Sequence, residues 1–313
     1  MKIKKIFITG VAGFIGSNFA SYILKNFKNS TIIGIDNLKV GKLKYIKEIL
    51  NEKKFTFIKC DLKNKSKIFK ISKGCDLVIH LASNADIAKA VKNPLIDYYE
   101  GFNLTLNVLE AMRKNNIKNI IFSSGSGVYD ESYDKPLIEN YSDLKPISTY
   151  GANKLSSESF ISAYSHLYNI KSLIFRFANV VGKNQTHGVA FDFYNNLRKN
   201  PKKIKIMGNG RQKKSYIDVS DVINASFLAL KKTKKNFEIY NISNDDRITV
   251  KQILNLVINN LKLKRPKIIL GKTNRGWTGD VPFVKLSNKK LKKLGWKFKF
   301  SSQNAILNSL KYF

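Results

Sequence analysis

The sequence predicts an α/β fold: a doubly wound parallel sheet joined to a smaller, interleaved C-terminal domain. Three observations predict it. Through the first half of the 313 residues, short apolar runs alternate with longer amphipathic ones, the rhythm of βαβ units. Several short runs are nearly all apolar, as expected of parallel strands covered on both faces. A glycine-spaced turn, Gly10-Val-Ala-Gly13-Phe-Ile-Gly16, follows the first run directly and opens the first amphipathic stretch.

Each element has its own signal. Ile6-Phe7-Ile8 marks a strand at 5–9, and Ile32-Ile33 with Ile35 marks one at 31–35. Phe55, Phe57 and Ile58 mark 55–59, and Leu77-Val78-Ile79 marks 77–81. Ile120-Ile121-Phe122 and Leu173-Ile174-Phe175 mark strands at 117–123 and 172–177. Helices are expected between them at 13–26, 65–72, 94–115 and 149–168. In the third, Leu104, Val108, Leu109 and Met112 recur at helical spacing and read as core packing. After Phe177 the rhythm changes. The stretch 179–211 reads as a loop, a helix at 189–200 and a short strand at 205–207; strands at 215–219 and 237–241 flank a helix at 222–231. Helices at 250–261, 288–294 and 302–310 end the chain. Residues 1–178 and 214–243 are thus assigned to the sheet domain, and 179–213 with 244–313 to the second domain. A substrate cleft is expected between them, outside the carboxyl ends of the strands.

Composition limits the partners. Lys+Arg is 56 against Asp+Glu 22, a formal net charge of +34. Only 7 of the 56 are arginine, and the lysines run from Lys2 to Lys311. Nucleic-acid readers lean on arginine interleaved with aromatics along one face. The charge therefore reads as a diffuse positive field that steers anionic substrates, with no specific nucleic acid as partner. No run approaches the ~18–20 apolar residues of a membrane span, so no membrane insertion is expected. Lys2, Lys4 and Lys5 before an apolar stretch resemble a signal peptide, but the stretch runs straight into the glycine turn and reads as a first strand. Cys60 and Cys75 are the only cysteines and form no ligand cluster, which fits a reducing cytoplasm and no metal.

The motifs carry the chemistry. A glycine turn between strand and helix brings backbone N–H groups to a pyrophosphate, at the positive end of the helix. Asp36 ends the second strand 20 residues after Gly16, where a carboxylate can bind both ribose hydroxyls and repel a 2′-phosphate. This favours NAD over NADP, although Lys39 and Lys42 lie nearby. Tyr150 and Lys154 stand at i and i+4, on one helix face. An ammonium beside a phenol lowers the phenol pKa toward working pH, so that the tyrosine serves as a base. Phe122-Ser-Ser-Gly-Ser-Gly-Val-Tyr129 places hydroxyls at a strand end about 25 residues upstream.

Taken together, these residues resemble the extended short-chain dehydrogenase/reductase family, in its NAD-dependent epimerase/dehydratase branch, and look most like UDP-glucose (UDP-galactose) 4-epimerases. TGVAGFIG, the Asp36-Asn37 strand end, CDL, HLAS, the Tyr-x-x-x-Lys pair and RFANVVG occur in family order, as do GNGRQKKSYIDVSDV and RGWTGDVP. The resemblance implies a Rossmann-like sheet and bound NAD. Gly10, Gly13, Phe14, Ile15 and Gly16 would hold the pyrophosphate, Asp36 and Asn37 the adenine ribose, Asp61 and Leu62 the adenine. Leu81, Ala82, Ser83 and Asn103 would line the middle of the cofactor. Tyr150 would be the acid/base and Lys154 its partner, also holding the nicotinamide ribose. Asn179, Lys214 and Arg275 would bind the diphosphate of a nucleotide sugar, with Gln185, His187 and Val189 facing that substrate. A homodimer built on helices 94–115 and 149–168 is implied as well.

Two departures from the family pattern stand out. The catalytic Ser/Thr position, 25 residues before the tyrosine, is Gly125, so the hydroxyl must come from Ser124 or Ser126 or be absent. Where 4,6-dehydratases of the branch carry Asp-Glu next, this chain has Ser126-Gly127, which disfavours dehydration. The expected activity is epimerisation at C4. A nucleotide-sugar 4-ketoreductase or a UDP-glucuronate decarboxylase is the alternative, and a non-enzymatic dinucleotide sensor has no need of Tyr150 and Lys154.

Overall fold

The computed structural model describes residues 3–84, 87–130, 135–276, 281 and 283–313. Seven parallel strands form its centre: β1 (Lys5–Thr9), β2 (Thr31–Asp36), β3 (Phe55–Lys59), β4 (Leu77–His80), β5 (Asn119–Gly125), β6 (Lys171–Phe177) and β11 (Phe237–Ile242). They make one sheet of order β11-β6-β5-β4-β1-β2-β3. The chain runs outward from β1 to β3, then returns to lay β4 on the other side of β1. The direction of winding therefore reverses between β1 and β4, and a crevice opens at their carboxyl ends.

Helices cover both faces because each strand presents apolar side chains to both. One face packs α1 (Phe14–Asn26) and α8 (Val219–Lys232) over Ile6, Ile8, Ile79, Ile121 and Phe175. The other packs α2 (Lys65–Ser72), α5 (Asn103–Lys114) and α6 (Thr149–Tyr168) over Phe7, Val78, Ile120 and Ile174. The expected bounds of α2 and α6 hold to the residue. The Ser148 hydroxyl caps α6 by accepting the Gly151 N–H at 3.1 Å, and Asn169 ends it in the left-handed region at φ 52°.

The helix expected at 94–115 is interrupted. A turn α4 (Leu95–Asp97) leads into a wide π-type turn over Tyr98–Phe102, and only then does α5 begin. Glu100 leaves helical geometry (φ −105°, ψ 17°), and its carbonyl accepts the Asn84 N–H at 2.7 Å instead. Gly101 lies so close to α6 that a Cβ there would come within 2.5 Å of the Asn153 amide oxygen. Periodicity could not reveal this break, because the apolar spacing continues through it. A short α3 (Ile87–Lys92) precedes it.

The second unit is built from α7 (Val189–Lys199), α9 (Val250–Asn260), α11 (Ser302–Leu310) and small strand pairs, while α10 (Lys289–Lys293) returns to the sheet, with Leu291 buried in the sheet's own core beside β11. Helices α7, α9 and α11 share an apolar core with Ile204, Ile206 and Tyr216. A reciprocal capping box, Thr249 with Gln252, starts α9. Four strands were not expected. Residues read as a loop form β7 (Asn179–Val181), which pairs in parallel with β10 (Tyr216–Asp218). The mostly exposed β13 (Lys267–Leu270) pairs with β8 (Lys203–Ile206) and carries no burial pattern to betray it. The pair β9 (Lys213–Lys214) and β12 (Ile248–Thr249) completes the set.

Candidate active site

The crevice is made by backbone first. Gly10 turns the chain at φ +71°, and its N–H and that of Val11 both donate to the Ile35 carbonyl, at 2.9 and 3.1 Å. At Gly16 a Cβ would sit 2.1 Å from the Gly10 carbonyl oxygen, so only glycine lets α1 approach the turn. No side chain caps the start of α1, leaving the first-turn N–H groups of Phe14, Ile15 and Gly16 facing the crevice end of the helix.

Asp36 closes β2 beside this turn. Its buried carboxylate accepts the Ala12 N–H at 3.1 Å and the Leu38 N–H at 2.8 Å. Burial pushes its pKa up, and these two bonds pull it back. Asn37 donates to Asp61 at 3.0 Å, tying the ends of β2 and β3. Burial alone would raise the Asp61 pKa, but the Lys63 N–H, the Asn37 amide and the ammonium groups of Lys39 and Lys63 bring it below its usual value. Lys39 reaches Glu100 at 3.3 Å and Asp61 at 3.6 Å. It is thus already engaged with carboxylates. Leu62 is buried, and its carbonyl accepts the Asn107 amide at 3.0 Å.

The end of β4 is fastened to β1 by Thr9, the first residue of the TGVAGFIG motif. Its hydroxyl oxygen accepts the Leu81 and Ala82 N–H groups at 3.2 and 3.3 Å and meets His80 Nδ1 at 2.7 Å. His80 Nε2 lies 3.2 Å from the Thr105 hydroxyl. Desolvation, with Lys154 nearby, holds the His80 pKa down to about 3, so the ring is neutral. Ser83, next along, has a buried hydroxyl with no hydrogen-bond partner among the described residues. Asn103 starts α5. It lines a cleft of about 330 Å³ with Asn107, Glu110 and Tyr164, between α2 and α5.

Tyr150 and Lys154 share one face of α6, above the tip of β5. A Cβ on Gly125 would lie 3.7 Å from the Tyr150 hydroxyl, so the bare glycine faces the phenol directly. Lys154 is buried. Its ammonium donates to the Ser123 carbonyl at 2.8 Å and lies 5.7 Å from the Tyr150 ring centre. The expected lowering of the tyrosine pKa is not seen in this state. Burial, with the Asp97 carboxylate, pushes Tyr150 up to about 12. Burial brings Lys154 down to about 8, against the pull of Glu158 and Asp97. The ammonium is spent on a carbonyl rather than on the phenol, so desolvation wins.

The two serine candidates separate here. The Ser124 hydroxyl turns away from Tyr150 and donates to Glu158 at 2.5 Å, inside a buried ion pair with Arg176. Strand alternation explains this: Gly125 faces the phenol, so Ser124, the residue before it in β5, cannot, whereas Ser126 already lies in the turn that follows the strand. Ser124 is therefore removed as the hydroxyl donor beside Tyr150. Ser126 is half-buried and its hydroxyl bonds to no described residue.

The residues expected to bind substrate all follow β6, and all but Lys214 fall in the segments assigned to the second domain. The Asn179 amide donates to the Ser215 carbonyl at 3.1 Å. Gln185 is buried and braces its own loop: it accepts the Gly182 N–H at 3.4 Å and donates to the His187 carbonyl at 2.7 Å. It is thereby turned from a ligand role to a structural one. His187 is exposed, with Nδ1 2.9 Å from the Thr186 hydroxyl, and Val189 starts α7. Lys214 lies on β9, and the segment beyond Arg275 returns there to pair Phe283 with Lys213. Of the RGWTGDVP motif, Trp277–Asp280 and Pro282 lie outside the described residues. Among the described residues, no group of His, Cys, Asp and Glu could hold a metal ion.

A family model described as the NAD dependent epimerase/dehydratase family matches residues 6–243. The chain belongs to this family. Solved structures agree along its whole length. A UDP-galactose 4-epimerase is 32% identical, with TM-score 0.87 and 98% of each chain covered. The UDP-glucose 4-epimerase of Thermotoga maritima, solved with UDP-glucose, is 29% identical, with TM-score 0.88, covering 99% of this chain and 98% of that one. The UDP-glucose 4-epimerase of Thermus thermophilus, solved with NAD, is 26% identical, with TM-score 0.87 and 98% of each chain covered. The family's dinucleotide fits the residues present. The glycine turn gives room for a pyrophosphate, the uncapped helix start offers donors, and the buried Ser83 hydroxyl has no partner among the described residues.

Proposed function

We propose that this protein is an NAD-dependent nucleotide-sugar 4-epimerase acting on substrates of the UDP-glucose/UDP-galactose type. The observation that carries the reading is the meeting of Tyr150 and Lys154 with the tip of β5, the strand beside the β1/β4 switch point where the glycine turn lies. When bound, NAD supplies a hydride acceptor and donor. The glycine turn, Asp36, Asn37 and Asp61 hold it, and Lys154 orients its nicotinamide ribose. Tyr150 takes and returns the proton of the sugar O4 hydroxyl, a role that requires its phenol, raised by burial while Lys154 bonds Ser123, to be brought down by that ammonium when the dinucleotide is bound. Ser126 supplies the hydroxyl that steadies the developing ketone. Lys214 and Arg275 clamp the diphosphate beside Asn179, and the +34 field draws the anionic substrate inward. Residues 1–178 with 214–243 bind the dinucleotide, and 179–213 with 244–313 bind the nucleotide sugar.

The same reading makes the protein a homodimer in the cytoplasm. Tyr98, Tyr99, Phe160 and Leu167 leave large apolar surfaces exposed on the helices beside α5 and along α6, and Phe102 meets Phe160 edge-on between them. Such a face suits a second copy packed as a four-helix bundle. Cys60 and Cys75 are unpaired and buried, and burial pushes both thiols up in pKa, Cys75 to about 11. No helix of the described residues is long and apolar enough to cross a membrane.

The test is turnover of UDP-galactose to UDP-glucose by the purified protein. An epimerase works with its own bound NAD. A 4-ketoreductase consumes added NAD(P)H, and a decarboxylase releases carbon dioxide from UDP-glucuronate. Either of those outcomes overturns the reading.

A further inference from the structure

Behind the acid–base pair lies a buried polar network that the reaction itself does not use. Arg176, on β6, is 1% exposed, and Glu158, two turns after Tyr150 on α6, is 3% exposed. The guanidinium grips the carboxylate with Nη2 at 2.6 Å and Nε at 3.0 and 3.2 Å. Its Nη1 donates to the Tyr129 hydroxyl at 2.9 Å, which in turn donates to Asn241 of β11 at 2.8 Å. The Ser124 hydroxyl adds the last bond, to the same carboxylate. Three strands and α6 are thus joined through Arg176, Glu158 and Tyr129.

Its place matters more than its strength. A buried ion pair contributes little net stability compared with apolar residues of the same size. But Ser124 immediately precedes Gly125, the residue facing the Tyr150 hydroxyl, and Glu158 lies one turn beyond Lys154. Fixing Glu158 to Ser124 fixes the gap in which the sugar C4 must sit. We infer that Glu158 is a positioning residue for Tyr150 and Lys154: held by Arg176, it pins α6 to the tip of β5 and supplies a negative charge one helical turn from Lys154.

The charged and titratable groups around Lys154 come from four directions. His80 of β4 is neutral, and Asp97 of α4 is buried with its carboxylate on Asn84 and Thr149. Tyr150 and Glu158 lie on its own helix, while β5 gives only the Ser123 carbonyl and the Phe122 ring. Of these, Glu158 and Asp97 favour the charged lysine, with Glu158 the larger. Without Glu158, Lys154 gives up its proton at lower pH.

The inference rests on the epimerase reading, and its test keeps the two apart. Glu158→Gln is compared with wild type as purified holoenzyme, by bound dinucleotide, kcat, KM and the pH dependence of kcat. Glu158→Gln leaves Arg176 buried without its partner. The double variant Glu158→Leu/Arg176→Met therefore replaces the pair by apolar side chains and keeps the experiment open if the single variant does not fold. In either variant kcat falls about 10- to 100-fold with KM little changed, the effect of a small misplacement of reacting groups. The alkaline limb of kcat moves to lower pH. Ser124→Ala keeps the carboxylate, so it lowers kcat while leaving the limb in place. Carbon-13 NMR of labelled lysine side chains, with Lys154 assigned through Lys154→Met, reads the same shift without any turnover. A folded Glu158 variant with wild-type kcat and an unmoved Lys154 titration overturns the inference. So does a loss that is equal at every pH and appears in KM as well. A wild type that binds NAD but epimerises no UDP-sugar counts against the function proposed above, and the NMR titration still decides the role of Glu158.

Discussion

Restoring a side chain at position 125 tests how the phenol is assisted. Gly125 has extended backbone, φ −156° and ψ 168°, which any residue adopts. A Cβ there meets the Tyr150 hydroxyl at 3.7 Å, its Cε1 at 3.9 Å and the Phe177 carbonyl at 4.0 Å, all ordinary contacts. Serine therefore fits without strain. Its hydroxyl, one bond further out, comes within hydrogen-bond reach of the phenol when turned toward it. Replacing glycine inside a strand also stabilises by about 0.5–1 kcal/mol, so the variant folds. If Ser126 supplies the hydroxyl in the natural sequence, Ser126→Ala lowers kcat by roughly 10²-fold, the lower range for removing a donor to a developing oxyanion. Gly125→Ser in that background recovers most of the loss. Gly125→Ala, with the same Cβ and no oxygen, recovers none. The assay is turnover of UDP-galactose, with bound NAD measured on each sample. Full activity in Ser126→Ala refutes the reasoning, because Tyr150 then works with no serine beside it.

Other variants probe the remaining parts. Tyr150→Phe removes one hydroxyl and lowers kcat by ~10²–10⁴-fold while NAD content and melting temperature hold; wild-type turnover would exclude Tyr150 as the acid/base. Asp36→Ala deprives the Ala12 and Leu38 N–H groups of their acceptor, at about 1–3 kcal/mol for each one left unsatisfied. Calorimetry should show a lower melting temperature, and the protein should purify with less NAD and discriminate less against NADP. An unchanged melting temperature and NAD content would deny Asp36 both roles. His80 has a folded pKa of about 3 against 6.5 when free, so the unfolded chain binds a proton that the folded chain refuses. Its contribution to stability is complete above pH 6.5 and is lost as pH falls, by about 2 kcal/mol at pH 5. Urea unfolding at pH 7 and pH 5 should show that His80→Asn loses less stability on acidification than wild type; equal losses would mean His80 is not the group responsible.

The sheet was legible because parallel strands buried on both faces read as unbroken apolar runs, as Ile6-Phe7-Ile8 and Leu77-Val78-Ile79 do. The glycine turn and α6 were legible for the same kind of reason, local chemistry that leaves few alternatives. What escaped the sequence depends on contacts between distant segments. The break before α5 arises where Gly101 meets Asn153 from another helix, and no periodicity announces it. The strand β7 exists only because β10 lies beside it, and β13 only because β8 does. In the site, the Tyr-x-x-x-Lys spacing placed two groups on one face but could not say where the ammonium would point. It points to the Ser123 carbonyl. The sequence left both Ser124 and Ser126 open, favouring Ser126 only for its place between two glycines, and one hydrogen bond to Glu158 separates them. That bond could have been suspected from strand alternation, once Gly125 was taken as the residue facing the phenol.

The central claim is that hydride leaves C4 of a UDP-sugar and returns to it within one protein that keeps its NAD. The most direct measurement follows the C4 hydrogen. UDP-galactose carrying deuterium at C4 is incubated with the purified protein, without added dinucleotide, and the product is examined by mass spectrometry and NMR. The account predicts UDP-glucose with the deuterium still at C4, formed over many turnovers while the dinucleotide stays bound. Product that has lost the label to solvent, or product that forms only when NAD(P)H is supplied, would contradict it.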